Sequence, residues 1–131
     1  MTTIVIFKSN DSYKGFTCMG HTGFGISGKD IVCASISILV INTLNAIEQL
    51  ANEYMVVDSD EKSGSIECHF PEEIKAQVCM GGVSTKEINE KTKLLMDSML
   101  MGLKEIEKKY GKQNRFFLKK KTFFELIIKE V

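Results

Sequence analysis

The chain carries no charge excess of either sign. Its 131 residues hold 17 lysines and arginines against 17 aspartates and glutamates, with two histidines, for a formal net charge of +0. A general nucleic-acid coat carries a large positive surplus, so that class is excluded. Long hydrophobic runs are missing too. The longest nearly apolar stretch, Ile31 to Ile41, contains serines and falls short of the roughly 20 residues of a membrane-crossing helix. Near the N-terminus only Ile4 to Phe7 is apolar before Lys8, which is no secretory h-region. The four cysteines include no Cys-x-x-Cys pair, which leaves a thioredoxin-type dithiol without support. Without an export signal they are expected as reduced thiols in a cytoplasmic protein. Internal repeats, linkers and low-complexity tracts are also missing. At 44% hydrophobic and 26% charged, the chain has the balance of one soluble domain with its own core.

The local patterns predict an α+β fold, with two long helices packed on an antiparallel β-sheet. Thr2 to Lys8 and Tyr13 to Met19 read as strands around the turn Ser9-Asn10-Asp11-Ser12. Four glycines between Gly20 and Lys29 mark a loop. Asp30 is placed as the N-cap of a helix running to about Ala51, apolar nearly all round up to Ile41 and polar on one face thereafter. Such a helix is expected to start buried and finish at the surface. Tyr54 to Val57 and Ser65 to Phe70 read as strands around an acidic turn, with Ala76 to Met80 as a further short strand. Ser84-Thr85-Lys86-Glu87 has capping-box spacing and is expected to start the second helix, whose stripe is Ile88, Leu95, Met99, Leu103, Ile106 and Tyr110, with Gly111 as its stop. Phe116 to Leu118 and Phe123 to Ile128 read as closing strands.

One constellation has the parts for chemistry: His21, the glycine loop, Asp30 and Cys33. With Asp30 as cap, Cys33 occupies the third helical position, where free N–H groups and the positive end of the helix dipole favour thiolate. An ordinary thiol is only a few per cent ionised at pH 7, so a nucleophile needs such help or a nearby imidazolium. The intervening loop is long enough to fold His21 back onto the sulfur. Ser37 lies one turn after Cys33, placed to hydrogen-bond either partner. These parts make a Cys–His thiol hydrolase, which requires no cofactor. The competing reading is a Cys33 that merely packs and a His21 that merely sits in a turn. Cys18-x-x-His21 with Cys33, or Cys68-His69 with Cys79, contain metal-ligand types without paired zinc spacing, and no metal is expected. Gly23-x-Gly25-x-x-Gly28 matches a dinucleotide fingerprint by letters but lacks the alternating strand–helix context. Charge is unevenly placed: Glu53 to Glu73 holds seven acidic residues and one lysine, and Lys104 to Lys121 holds eight basic residues and two glutamates. Solvated faces account for both runs, while the acidic one could also steer a basic protein partner.

Gly20-His21, followed by Gly28-x-Asp30-Ile31-Val32-Cys33-Ala34-x-Ile36-Ser37, resembles the ribosomal-processing cysteine protease family, Prp. The likeness continues through Asn42 to Leu50 and Leu100-x-Gly102-Leu103-x-x-Ile106-x-x-x-Tyr110, and so spans roughly residues 1–115. Thr22 and Ser35 stand where the family usually has alanine, and residues 116–131 form a divergent C-terminal strand or tail of the single domain 1–131. The resemblance implies that His21 and Cys33 form the catalytic dyad. It implies supporting roles for Asp30 and Ser37, and a flexible loop over the site at Gly23, Gly25 and Gly28. It further implies a bacterial, cytoplasmic homodimer that removes the N-terminal extension of ribosomal large-subunit protein number twenty-seven after a Phe-Phe pair, with no nucleic acid or membrane required. The alternative is a non-catalytic ribosome-assembly or substrate-binding module in which Cys33 is structural.

Overall fold

The computed structural model describes residues 2–20, 29–60, 62, 64–71, 89–110 and 124–131. Five strands, β1 (Thr2–Ser9), β2 (Ser12–Met19), β3 (Val56–Asp60), β4 (Ser65–His69) and β5 (Phe124–Glu130), form one sheet in the order β3-β4-β2-β1-β5. Two helices, α1 (Lys29–Ala46) and α2 (Glu90–Tyr110), pack on it. The first four strands in that order pair antiparallel, as expected. β5 instead runs parallel to β1, with Thr2 opposite Phe124 and Lys8 opposite Glu130, so the sheet is mixed. The hairpin to β2 uses one edge of β1, and the return of the chain through α2 brings β5 onto the other.

The alternation of β1 divides its side chains cleanly. Thr2, Ile4 and Ile6 are buried under the helices, whereas Thr3, Val5 and Phe7 are half-buried on the opposite face. Between Phe7 and Lys8 the register slips by one residue: Phe7 faces Gly15 but Lys8 faces Tyr13. Lys14 is the extra residue of this bulge, which turns Tyr13 to the same core as Phe16 and Cys18. The Tyr13 hydroxyl donates to Asp97 of α2, and Lys8 Nζ lies 4.9 Å from the Tyr13 ring centroid. Burial and the Asp97 carboxylate together push the Tyr13 phenol above its ordinary range.

Helix α1 buries Val32, Ile36, Val40, Leu44 and Ile47, a stripe at near-helical spacing, and ends in one π-helical turn, Ile47–Ala51. Asn52, in left-handed conformation, closes that turn by donating its N–H to the Ile47 carbonyl. The all-round burial expected up to Ile41 does not occur, since Ala34 is exposed and Ile38 is 70% exposed. A single sheet covers only one side of a helix. By length and composition Val32–Ala51 is apolar enough to cross a membrane, contrary to the count from Ile31 to Ile41 alone. Its buried stripe against the sheet and its polar residues Asn42, Asn45, Glu48 and Gln49 fit the core helix of a two-layer domain.

β3 and α2 begin elsewhere than the sequence patterns place them. β3 excludes Tyr54 and Met55 and extends through Asp58 and Asp60, because ladder pairing with β4 outweighs the poor strand propensity of aspartate. Asn89 caps α2, its Oδ1 accepting the Thr92 N–H at 2.8 Å. Its own amide groups tie the cap to the end of α1: Nδ2 donates to the Ala51 carbonyl and the backbone N–H to Glu53 Oε1. Replacing Asn89 by alanine should therefore cost about 1–2 kcal/mol of stability, measured by urea unfolding. The expected strands at 76–80 and 116–118, the Ser84 capping box, Ile88 and Gly111 lie outside the described residues. Where α2 crosses α1, Gly102 faces Leu39, and a Cβ there would lie 2.8 Å from Leu39 Cδ2. The absent side chain brings the two helices close.

Candidate active site

Three described elements converge at one end of the molecule. β1 starts there with Thr2, β2 leaves the sheet there at Gly20, and α1 enters there and carries Cys33. Continuing the ladder beyond the Thr3–Met19 pair sets Gly20 across from Thr2. Gly20 has φ +79, a left-handed conformation that turns the chain off the sheet and would cost a residue with a Cβ about 1–2 kcal/mol. Thr2 Oγ1 donates to the Gly20 carbonyl at 3.3 Å and lies 3.6 Å from Cys33 Sγ. One buried hydroxyl thus bridges the sulfur of α1 and the backbone that leads directly to His21.

Cys33 is half-buried, at the margin of the buried stripe of α1. The described helix already includes Lys29, two residues before Ile31, the expected first helical residue, so Asp30 is a helical residue and not the N-cap. Lysine is a good helix former, so the helical run takes in Lys29 as well as Asp30. Cys33 is therefore at least the fifth helical residue, counted from Lys29, and not the third. Its own N–H points at the Lys29 carbonyl in the helical ladder, and the free N–H groups belong to the turn before it. Helical side chains lean toward the N-terminus, so the position still projects over that first turn. Ser37 does not spend its proton on the sulfur; its Oγ donates to the Cys33 carbonyl at 2.7 Å, gripping the backbone that carries the thiol. His21, Gly23, Gly25 and Gly28, and the side chain of Asp30, lie outside the described residues.

The other described thiols contrast with Cys33. Cys18, on β2, is buried, and burial together with the nearby Cys33 pushes its thiol up from 9.0 to about 11. Cys68, on β4, is packed with its sulfur 3.9 Å from Met55 Sδ, and burial pushes its thiol up to about 12. Both are therefore protonated and shielded at neutral pH. The neighbouring His69 is exposed on the opposite face of its strand from Cys68, so the two cannot serve one metal. Among the described residues no group of three histidine, cysteine or acidic side chains is placed to hold a metal ion, and Cys79 lies outside them. Iodoacetamide at pH 7 should therefore modify Cys33 of the native protein at least about tenfold faster than Cys18 or Cys68, read by peptide mapping. Equal labelling of all three would remove the distinction.

Sequence reasoning missed Thr2 as a member of this site. The signal was present, since strand alternation sets Thr2 in line with Ile4 and Ile6, and a polar residue in an apolar stripe demands a partner.

Comparisons with known proteins bear on the same region. The family model described as Cysteine protease Prp matches residues 1–115. The ribosomal processing cysteine protease Prp of Bacillus subtilis is 30% identical over 111 residues, covering 84% of this chain and 90% of that protein. Among solved structures, SMU.848 of Streptococcus mutans superposes with a TM-score of 0.74 at 24% identity, covering 100% of this chain and 96% of the other. The essential ribosomal processing protease Prp of Staphylococcus aureus, solved with a substrate peptide, superposes with a TM-score of 0.70 at 20% identity over 100% of both chains. These superpositions establish a common fold, which among the described residues of this chain is two helices on one five-stranded sheet. With the family match covering both the cysteine-bearing helix and the strands that frame it, this chain belongs to the Prp family of cysteine proteases.

Proposed function

We propose that this chain is an endopeptidase that removes the N-terminal extension of ribosomal large-subunit protein number twenty-seven, cleaving after a Phe-Phe pair with Cys33 as nucleophile and His21 as its acid–base partner. The observation that carries the reading is the bridge at Thr2, in which one hydroxyl meets both Cys33 Sγ and the carbonyl of the residue preceding His21. Cys33 is also the described cysteine that a substrate can reach. In the proposed cycle the imidazole of His21 takes the thiol proton, and the thiolate attacks the scissile carbonyl. The positive end of α1 favours the negative charge that develops beside it. His21 then protonates the departing amine, leaving a thioester on Cys33, and water activated by His21 hydrolyses that thioester. No step needs a metal or a cofactor. We assign supporting roles to Asp30 and to Ser37, which acts through the Cys33 carbonyl, and a covering loop to Gly23, Gly25 and Gly28, as the family resemblance implies.

Two surface features support the proposed partners. Asp58 and Glu67 face each other across β3 and β4, with Asp60 on the same exposed face. Like charges directly opposed weaken a strand pair, and they suit a basic ribosomal protein as substrate. Ile38 and Ile41 of α1 and Leu94 and Met101 of α2 are all exposed, with Ile38, Leu94 and Met101 about two-thirds so or more. Apolar side chains in that number on one helical layer support a homodimer, which sedimentation equilibrium measures directly. A cytoplasmic location fits a substrate made and assembled there.

The test is incubation of the purified protein with a peptide spanning the extension and its Phe-Phe junction, with products identified by mass. Cleavage after the second Phe is the expected result. An intact peptide with a reactive Cys33 would mean a thiol hydrolase of another target, and an intact peptide with an inert Cys33 would mean a binding module.

A further inference from the structure

The Thr2 hydroxyl has one proton to give and two lone pairs to offer, and two groups compete for them. Thr2 is 1% exposed, so no bulk water relieves the competition. Its proton lies on the Gly20 carbonyl at 3.3 Å, which leaves a lone pair for the sulfur at 3.6 Å. In the resting protein the Cys33 S–H is then the donor toward Thr2 Oγ1. Ionisation reverses this. A thiolate has only lone pairs, and a charged acceptor takes a hydrogen bond in preference to a neutral carbonyl. Gly20 is exposed, so its carbonyl can turn to water when the hydroxyl leaves it.

We propose that Thr2 is a positioning residue of the reaction, a buried hydroxyl rotor that points at the Gly20 carbonyl while Cys33 is a thiol and swings onto the sulfur when Cys33 becomes a thiolate. The inference rests on the reading of Cys33 as the nucleophile. The protons balance throughout: the S–H proton leaves to His21, and Thr2 keeps its own and only redirects it. When the sulfur becomes a neutral thioester the rotor returns to Gly20. The hydroxyl thereby steadies the nucleophile in the state that attacks, and couples the charge of Cys33 to the backbone beside His21.

Two substitutions separate positioning from packing because they move in opposite directions. Thr2→Val keeps the shape of the side chain and removes the hydroxyl, whereas Thr2→Ser keeps the hydroxyl and removes a buried methyl. Rotor action predicts that Thr2→Val slows iodoacetamide modification of Cys33 at pH 7 by about tenfold and lowers kcat to a similar extent with KM within about twofold, and that Thr2→Ser restores both to within about threefold of the parent. A packing role predicts the reverse order, with Thr2→Val at parental rates and Thr2→Ser impaired and less stable. Parental alkylation in Thr2→Val, or equal slowing of both variants alongside equal loss of melting temperature, would overturn the proposal. The alkylation readout needs no peptide, so a wrong substrate leaves it intact. A parent protein that alkylates at Cys33 but spares the peptide would overturn the substrate, and the Val-against-Ser order would still decide the rotor.

Discussion

Cys33→Ala should lower peptide cleavage by at least about a thousandfold while leaving the melting temperature within a few degrees of the parent. The two halves of that result have separate physical origins. Removing a nucleophile eliminates the covalent path altogether, and what survives is the modest rate of a bound substrate with water. Stability changes little because Cys33 is half-buried on the margin of the α1 stripe, so alanine leaves no sealed cavity. The sulfur gives up one long contact to Thr2, and Ser37 still holds the backbone at the Cys33 carbonyl. A structural cysteine would give the converse pattern, with an early melt and a loss of activity that follows the loss of fold. Activity assays run beside thermal unfolding on one preparation distinguish the two.

Gly15→Ala should destabilise the fold by about 3 kcal/mol or more, the largest stability effect expected of any single methyl group here. Gly15 sits in β2 at φ +156, a conformation that side chains rarely adopt, opposite both Phe7 of β1 and His69 of β4. A Cβ on it would run into the Cys68 carbonyl oxygen and lie 2.9 Å from His69 Cα. Both are backbone atoms of a paired strand, so relief requires β4 to move away from β2, carrying with it β3, which among the described strands pairs with β4 alone. Gly102→Ala is the informative contrast. Its Cβ meets the end of the flexible Leu39 side chain at 2.8 Å, and alanine gains about 1 kcal/mol of helix propensity over glycine. Urea unfolding of the two variants should therefore show a large loss for Gly15→Ala and a small change of either sign for Gly102→Ala. Similar losses for both would mean that backbone crowding at Gly15 is relieved more easily than this geometry allows.

What could be read in the sequence was local. The β1–β2 hairpin follows from alternation around Asn10-Asp11, and Asn10 takes the positive φ of 56 that such a turn requires. The existence of α1 follows from its apolar pattern, though not which side of it is buried, and Cys33 could be singled out because it falls near a helix start within the reach of a glycine loop. What could not be read depends on contacts distant in sequence. The bulge at Lys14 exists only in the register between two strands, so nothing in Ser12–Met19 alone announces that Tyr13 will turn inward. The parallel edge of β5 is set by where α2 delivers the chain, not by any feature of Phe124–Glu130. Asn89 was overlooked because Ser84 to Glu87 spell a capping box, whereas the helix takes its cap where the side chain also meets Ala51 and Glu53 across the molecule. Thr2 is the intermediate case: its place in the buried stripe of β1 signalled the need for a partner, but the partner, Cys33, is 31 residues away and was not readable.

A cysteine protease acting through Cys33 must pass through a covalent acyl intermediate on that residue. Acid quenching during turnover of the extension peptide, followed by mass mapping of the protein, measures it directly. The predicted result is a hydroxylamine-labile adduct, of the mass of the N-terminal cleavage fragment ending in Phe-Phe, on Cys33 alone and missing from Cys33→Ala. Product formation without an adduct at Cys33, or with the acyl group on another residue, would contradict it.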